Sequence, residues 1–186
     1  KPDHISAYNL TYEEDTAFFE SLKRGEMDMN EDRDAHQFHL ADELLGAAGF
    51  GNYETSNYAR QGRESTHNRG YWQGEDYLGL GPSAVSTMNR ERSRNVADTA
   101  LYVKRINTIG NAVEDSEQLD EEQWRIERVA LGLRTLEGIS LDLLDEAGRD
   151  RAVSLANEGM AAIEGDRLQL KGIGRALVDP IVAELI

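Results

Sequence analysis

The stretch His67–Ser86, HNRGYWQGEDYLGLGPSAVS, decides how the rest of the chain is read. It carries glycines at 70, 74, 79 and 81 and aromatic residues at 71, 72 and 77. Glycine adopts backbone conformations that other residues avoid, so residues 57–88 are expected to be the least regular part of the chain. Gly79-Leu80-Gly81-Pro82 lacks the Lys and Ser/Thr of a phosphate loop and the spacing of a dinucleotide fingerprint. Charge also singles out this region. Residues 51–110 have a balance of +2, whereas residues 1–50 carry −8 and residues 111–186 carry −9, within a total of −15. A basic third that also holds Tyr53, Tyr58, His67, Tyr71, Trp72 and Tyr77 suggests a surface for something flat or anionic. The plain alternative is a glycine-rich connection whose arginines offset neighbouring acids.

Upstream, His4–Leu10 reads as a strand and Thr11–Gly25 as a polar connection with a helical turn around Phe18, Phe19 and Leu22. Phe38, Ala41, Leu45 and Ala48 share one helical face from Asp34 onward, with Asp32 or Asp34 as the cap and Gly49 as the stop. Phe50–Ser56 reads as a second strand. Strand, helix, strand in that order predicts a βαβ crossover, hence a parallel sheet or barrel segment that one helix cannot cover.

Downstream, Asp98–Ile109 is expected to be a helix, and the polar, acidic run 110–118 is a connection. The chain is therefore divided into 1–112 and 113–186. Helices follow at Asp120–Leu136, Ser140–Leu144 and Arg151–Ile163. A turn at Glu164-Gly165-Asp166 then joins two short extended pieces, before a last helix at Ile173–Ile186. Helices, a small hairpin and a helix resemble a winged-helix arrangement.

Composition excludes several classes of function. With 186 residues, 39% hydrophobic, the chain is large enough for a core. It has no cysteine, which removes disulfides, thiolate zinc sites, cysteine nucleophiles and a cysteine-ligated iron–sulfur cluster on its own residues. No apolar run approaches the ~18 residues of a transmembrane helix, and KPDHISAYNL lacks the form of a signal peptide, so a cytoplasmic protein is expected. The acidic balance argues against nucleic acid. In the winged-helix-like segment, Arg149–Arg175 holds 5 basic and 4 acidic residues, not a basic face. His36 and His39 have the i, i+3 spacing that places two imidazoles on one metal, but the sequence fixes no third ligand. Ser56 and His67 with a nearby acid would form a hydrolytic triad, yet no G-x-S-x-G elbow surrounds the serine.

A resemblance is more specific than any of these. HISAYNLTYE from His4, YETSNYA from Tyr53, HNRGYWQGEDYLGLGPSAVS from His67 and ERVALGLRTLEGISL from Glu127 occur in an order and spacing that cover essentially the whole chain. Together they strongly resemble the oxygen-independent coproporphyrinogen III oxidase-like radical SAM proteins, the HemN/HemW family. The YW-x-G-x-DYLGLGP form is closest to the branch of heme chaperones. The resemblance implies a partial (β/α) barrel remnant followed by a helical, winged-helix-like C-terminal domain. It also implies a longer protein whose preceding part holds a [4Fe-4S] cluster and S-adenosylmethionine. Neither cofactor is expected to assemble on this segment, and the resemblance assigns it no catalytic residue.

By the same resemblance, Thr11 and Val85 align with positions that lie against S-adenosylmethionine. Heme-chaperone members usually have His where this chain has Val85, and Ser83 replaces a glycine. His67 is then the loop histidine able to ligate heme iron. The other heme or porphyrin site residues are Glu54, Ser56 and Asn57, at the C-terminal end of a strand, and Asn68, Tyr71 and Trp72 in the loop motif. The implied partners are heme or porphyrin and a heme-acceptor protein. A biosynthetic oxidase acting on coproporphyrinogen III is the alternative, and a winged-helix interaction module without ligand is the third reading.

Overall fold

A computed structural model describes residues 1–186, the side chain at position 31 excepted. The chain begins with β1 (His4–Ser6), α1 (Ala17–Lys23), α2 (Glu31–Ala47), β2 (Gly51–Glu54) and β3 (Asn57–Ala59). The expected first strand is thus three residues long, and the expected second strand is the first arm of a hairpin. Residues Thr55 and Ser56 turn the chain, and β3 inserts between β1 and β2. β1 and β2 still run the same way, as a crossover requires. Each pairs antiparallel with β3, however, so the expected parallel pairing does not form. The hairpin partner is adjacent in sequence and takes the edge that β1 would otherwise have offered to β2. Asn30, not Asp32 or Asp34, caps α2: its side chain accepts from the Arg33 N–H at 2.8 Å.

Residues 57–88 are more regular than expected. They hold β3, α3 (Thr66–Gln73) and β4 (Val85–Met88). The Ser65 hydroxyl caps α3 by accepting from the Asn68 N–H at 3.2 Å. Tyr77 exchanges two backbone hydrogen bonds with Thr87, at 2.9 and 3.0 Å. The loop between them is tied down by Asn95, which donates to the Gly79 and Gly81 carbonyls, and by the Tyr102 hydroxyl, which accepts from the Gly81 N–H. β5 (Glu91–Asn95) turns back from β4 through Asn89 and Arg90, at φ 52° and 64°. The Asp76 carboxylate holds that turn by accepting from the Asn89 N–H at 3.0 Å, and the Arg90 guanidinium covers the Trp124 ring at 4.5 Å.

α4 (Thr99–Ile109) follows under an Asp98 cap. The polar run expected as a connection then contains β6 (Val113–Gln118), which completes an antiparallel sheet of order β4-β5-β6. Its six residues are all exposed, so it shows no alternating burial pattern; backbone pairing with β5 holds it, with Arg92 beside Glu117 at 3.7 Å and Arg105 donating to the Val113 carbonyl.

The last part is built on α5 (Glu121–Gly132), whose start has a reciprocal Asp120–Gln123 capping box. β7 (Ile139–Ser140), α6 (Glu146–Asn157), β8 (Ala161–Glu164), β9 (Arg167–Leu170) and α7 (Val178–Leu185) follow. The expected helix 151–163 is corrected: it starts and ends earlier, and Ala161–Ile163 belong to β8. The expected helix at 140–144 is one 3₁₀ turn, and 172–176 is another ahead of α7. A sheet of order β7-β9-β8 packs with α5, α6 and α7 around Val129, Leu133, Ile139, Leu155, Leu168 and Leu185, each at most 2% exposed. Among the described residues no helix is long and apolar enough to cross a membrane.

This last unit is fastened to the first at several points. α3 packs on α5, and the Arg92 guanidinium pairs with Glu127. Arg175 donates to the Asn52 side chain and lies 3.7 Å from Asp42.

Candidate functional site

A cavity of about 390 Å³ opens where these pieces meet. The β2–β3 hairpin supplies Glu54, Thr55, Ser56 and Asn57; α3 supplies Asn68, Tyr71 and Trp72. Tyr8 comes from beyond β1, and Arg134 from just beyond α5. Each arrives by a local cause. The hairpin is pinned to the last unit by an antiparallel bridge between Glu54 and Thr135, and the Thr55 hydroxyl donates to the Arg134 carbonyl at 3.3 Å. The Ser6 hydroxyl fixes Asn57 by donating to its side-chain oxygen. One turn of α3 separates Asn68 from Tyr71 and Trp72, which brings all three to the cavity.

Six of the seven residues singled out from the sequence for a heme or porphyrin site therefore line one cavity: Glu54, Ser56, Asn57, Asn68, Tyr71 and Trp72. His67 does not line it. Its exposed ring stands edge-on to Tyr71, centroids 4.6 Å apart, and Tyr71 meets Tyr77 in the same manner. Thr11, exposed after β1, and Val85, the first residue of β4, are also absent from the lining. Tyr8, Thr55 and Arg134 line the cavity without having been singled out. Tyr8 and Arg134 lie in segments whose pattern carries no signal of their shared position. No group of three or more His, Asp or Glu residues able to hold a metal ion occurs among the described residues, which leaves the His36/His39 pair without a third ligand.

Polarity inside the cavity is unbalanced. Glu54 is 1% exposed, and neither carboxylate oxygen has a hydrogen-bond partner among the described residues. The Trp72 indole N–H is likewise buried and unmet. Burial pushes the Glu54 carboxyl up, and the nearby Asn57 side chain, Ser56 N–H, Trp72 indole and His4 only partly oppose it. The one cationic lining residue among those described, Arg134, is committed elsewhere: it donates to the Ala130 carbonyl and pairs with Asp179. Behind the hairpin, the Tyr53 hydroxyl meets the His4 ring at 2.8 Å, and burial raises this phenol as well.

Because the folded chain holds the Glu54 proton to higher pH than the unfolded chain does, ionisation of Glu54 costs stability as pH rises through its folded value. Glu54→Gln removes that charge. It is expected to match the unmodified chain in acid and to exceed it by about 1–3 kcal/mol at pH 8. Urea unfolding at several pH values checks this; a difference that does not grow with pH would contradict it.

A site with aromatic walls, one buried acid and an unmet indole N–H suits a flat ligand with polar groups at its edge or centre. No protein-family model matches the chain. The chain is 38% identical to the heme chaperone HemW of Mycobacterium tuberculosis (strain ATCC 25618 / H37Rv), over 99% of its own length and 47% of that protein. It is 31% identical to the heme chaperone HemW of Bacillus subtilis (strain 168), over 74% of its own length and 37% of that protein. The radical S-adenosyl methionine domain-containing protein 1, mitochondrial, of Mus musculus is 29% identical over 99% of this chain and 46% of its own. Among solved structures, the coproporphyrinogen III oxidase HemN of Escherichia coli, a radical SAM enzyme, superposes with a TM-score of 0.71 at 17% identity, covering 98% of this chain and 48% of that one. That likeness shows a shared α/β fold of helices and small sheets. The chain spans about half the length of the curated relatives it matches.

Proposed function

We propose, from the premise that this chain belongs to the HemN/HemW family of radical SAM proteins, that it is the C-terminal part of a heme chaperone and binds heme for delivery to an acceptor protein. In this reading residues 1–112 are the remnant of a partial (β/α) barrel and 113–186 a winged-helix-like domain. The observation that carries the proposal is the gathering of YETSN and HNRGYW residues around the cavity that also holds the unmet Glu54 and Trp72. These residues fit a tetrapyrrole: Tyr71 and Trp72 offer ring faces, while Asn57 and Asn68 offer amide donors and acceptors. His67, outside the cavity lining but edge-on to the lining Tyr71, is the imidazole proposed for the iron.

The [4Fe-4S] cluster and S-adenosylmethionine belong to the longer protein. With no cysteine, the residues present do not fit a cysteine-held cluster. Thr11 and Val85 are the positions that would lie against S-adenosylmethionine. No chemical step is assigned to them. Coproporphyrinogen oxidation is the second reading, favoured by the aliphatic Val85 at the position where heme chaperones carry His.

Titration with hemin, followed by Soret absorbance, tests the proposal. A saturable shift at one heme per chain is expected, with His67→Ala weakening it roughly tenfold, equivalent to about 1.4 kcal/mol. Absence of a saturable shift would sink the reading.

A further inference from the structure

Behind Trp72 lies a second cavity, of about 510 Å³, between the end of α3, the end of α5 and β7. Trp72 is a wall of both cavities. Two guanidiniums, Arg128 and Arg167, line this second one. Arg167 donates through Nε to the Glu137 carbonyl at 2.7 Å and through Nη2 to the Gly138 carbonyl at 2.6 Å. Arg128 is only half engaged. Its Nη1 donates to the Gln73 carbonyl at the end of α3, a natural place for a cation at a helix C-terminus. Its Nη2 is buried and has no partner among the described residues.

The fold makes room for this group. A Cβ built on Gly74 would lie 1.6 Å from Arg128 Nη1, so the guanidinium occupies the space a side chain would fill. Nor does a carboxylate neutralise it. Glu127, its neighbour in α5, pairs with Arg92. Glu137, the acid lining this cavity among the described residues, is held by Arg69 at 2.7 Å. Burial therefore lowers the Arg128 pKa with only Glu127 opposing. A half-buried guanidinium whose buried Nη2 has no partner among the described residues is a receptor for an oxyanion, and a planar carboxylate matches its fork.

We infer that Arg128 anchors a carboxylate arm of the flat ligand that lies against Trp72. This rests on the heme-binding reading above and specifies which part of the macrocycle the chain recognises. The propionates are the carboxylates that heme carries on its rim. One of them reaches past Trp72 into the second cavity and accepts from Arg128 Nη2, which gives the unmet arm its partner.

The test compares hemin with hemin dimethyl ester, whose rim carries no charge, on the unmodified chain and on Arg128→Met, each followed by Soret absorbance. The unmodified chain is expected to bind hemin at least about tenfold more tightly than the ester, the scale of one charge-assisted hydrogen bond. Arg128→Met is expected to bring the two ligands level by weakening hemin alone. Equal affinities on the unmodified chain overturn the inference and leave the heme-binding reading standing. So does a loss in Arg128→Met that falls equally on both ligands, since that marks a purely structural arginine. Saturable binding of neither ligand overturns both. If thermal melting shows that Arg128→Met does not fold, the hemin-to-ester ratio of the unmodified chain decides. Arg128→Lys, which keeps the charge but loses the fork, is then expected to show an intermediate ratio.

Discussion

Gly138→Ala is expected to destabilise the chain by on the order of 3 kcal/mol or more, from two separate costs. Gly138 sits at φ 64°, which an L side chain rarely adopts, and a Cβ there would lie 1.9 Å from the Leu168 carbonyl oxygen. The second cost cannot be relieved by a rotamer, because the obstruction is backbone. Relief means prising β7 from β9, and this pair carries Ile139 opposite Leu168 in the core. Gly165→Ala separates the two contributions. Gly165 has nearly the same φ, 65°, but nothing lies within 4 Å of its added Cβ. It should lose only about 1–2 kcal/mol. Urea midpoints of both variants measured side by side check the pair; equal losses would show that close approach contributes nothing. Because Arg134, four residues before Gly138, lines the cavity and Thr135 bridges to its Glu54, Gly138→Ala should also weaken hemin binding.

Leu168→Ala is the second large effect. Leu168 is fully buried in the middle strand of its sheet, facing Ile139 of β7 and Ile163 of β8 across the two registers. Truncation removes apolar contact on both sides at once and leaves a void that fixed strands cannot collapse. The expected loss is roughly 3–4 kcal/mol, near the middle of the range for buried leucines. Val153→Ala, on the half-exposed face of α6, is the matched control and should stay below about 1 kcal/mol. Thermal melts of the two variants give the comparison. A small shift for Leu168→Ala would mean that the sheet relaxes around the gap.

The parts of the fold legible in the sequence are those whose signal is local. Asp98 and Asp120 cap helices through their own side chains, and Gly165 marks the hairpin turn between β8 and β9. Three residues of the loop motif, Asn68, Tyr71 and Trp72, line the cavity, and the motif is more regular than its glycines suggest. Its glycines suggested a coil, but Ser65 and Asp76 organise the flanking backbone as a capped helix and a tight hairpin. The pairing of β3 between β1 and β2 was not legible: Thr55-Ser56 is a turn without glycine, asparagine or proline, and the hairpin has an irregular register between Asn52 and Glu54. The cavity was legible only by its middle. Tyr8 and Arg134 lie within the quoted HISAYNLTYE and ERVALGLRTLEGISL segments, but 126 positions apart, so only the folded chain brings them to one cavity, and a buried, unpartnered Glu54 follows no hydrophobic pattern.

The fully exposed β6 has a consequence for how copies of this chain behave in solution. An outer strand normally offers its unpaired N–H and C=O groups to any neighbour, and Val113 is the one apolar residue on β6. Glu114, Asp115 and Glu117 line that edge with negative charge, so two such edges repel before their backbones can dock. The barrier is purely ionic and has no steric back-up. Acidification through the carboxylate range, or concentrated salt, removes it and turns the same strand into the place where clustering of molecules begins.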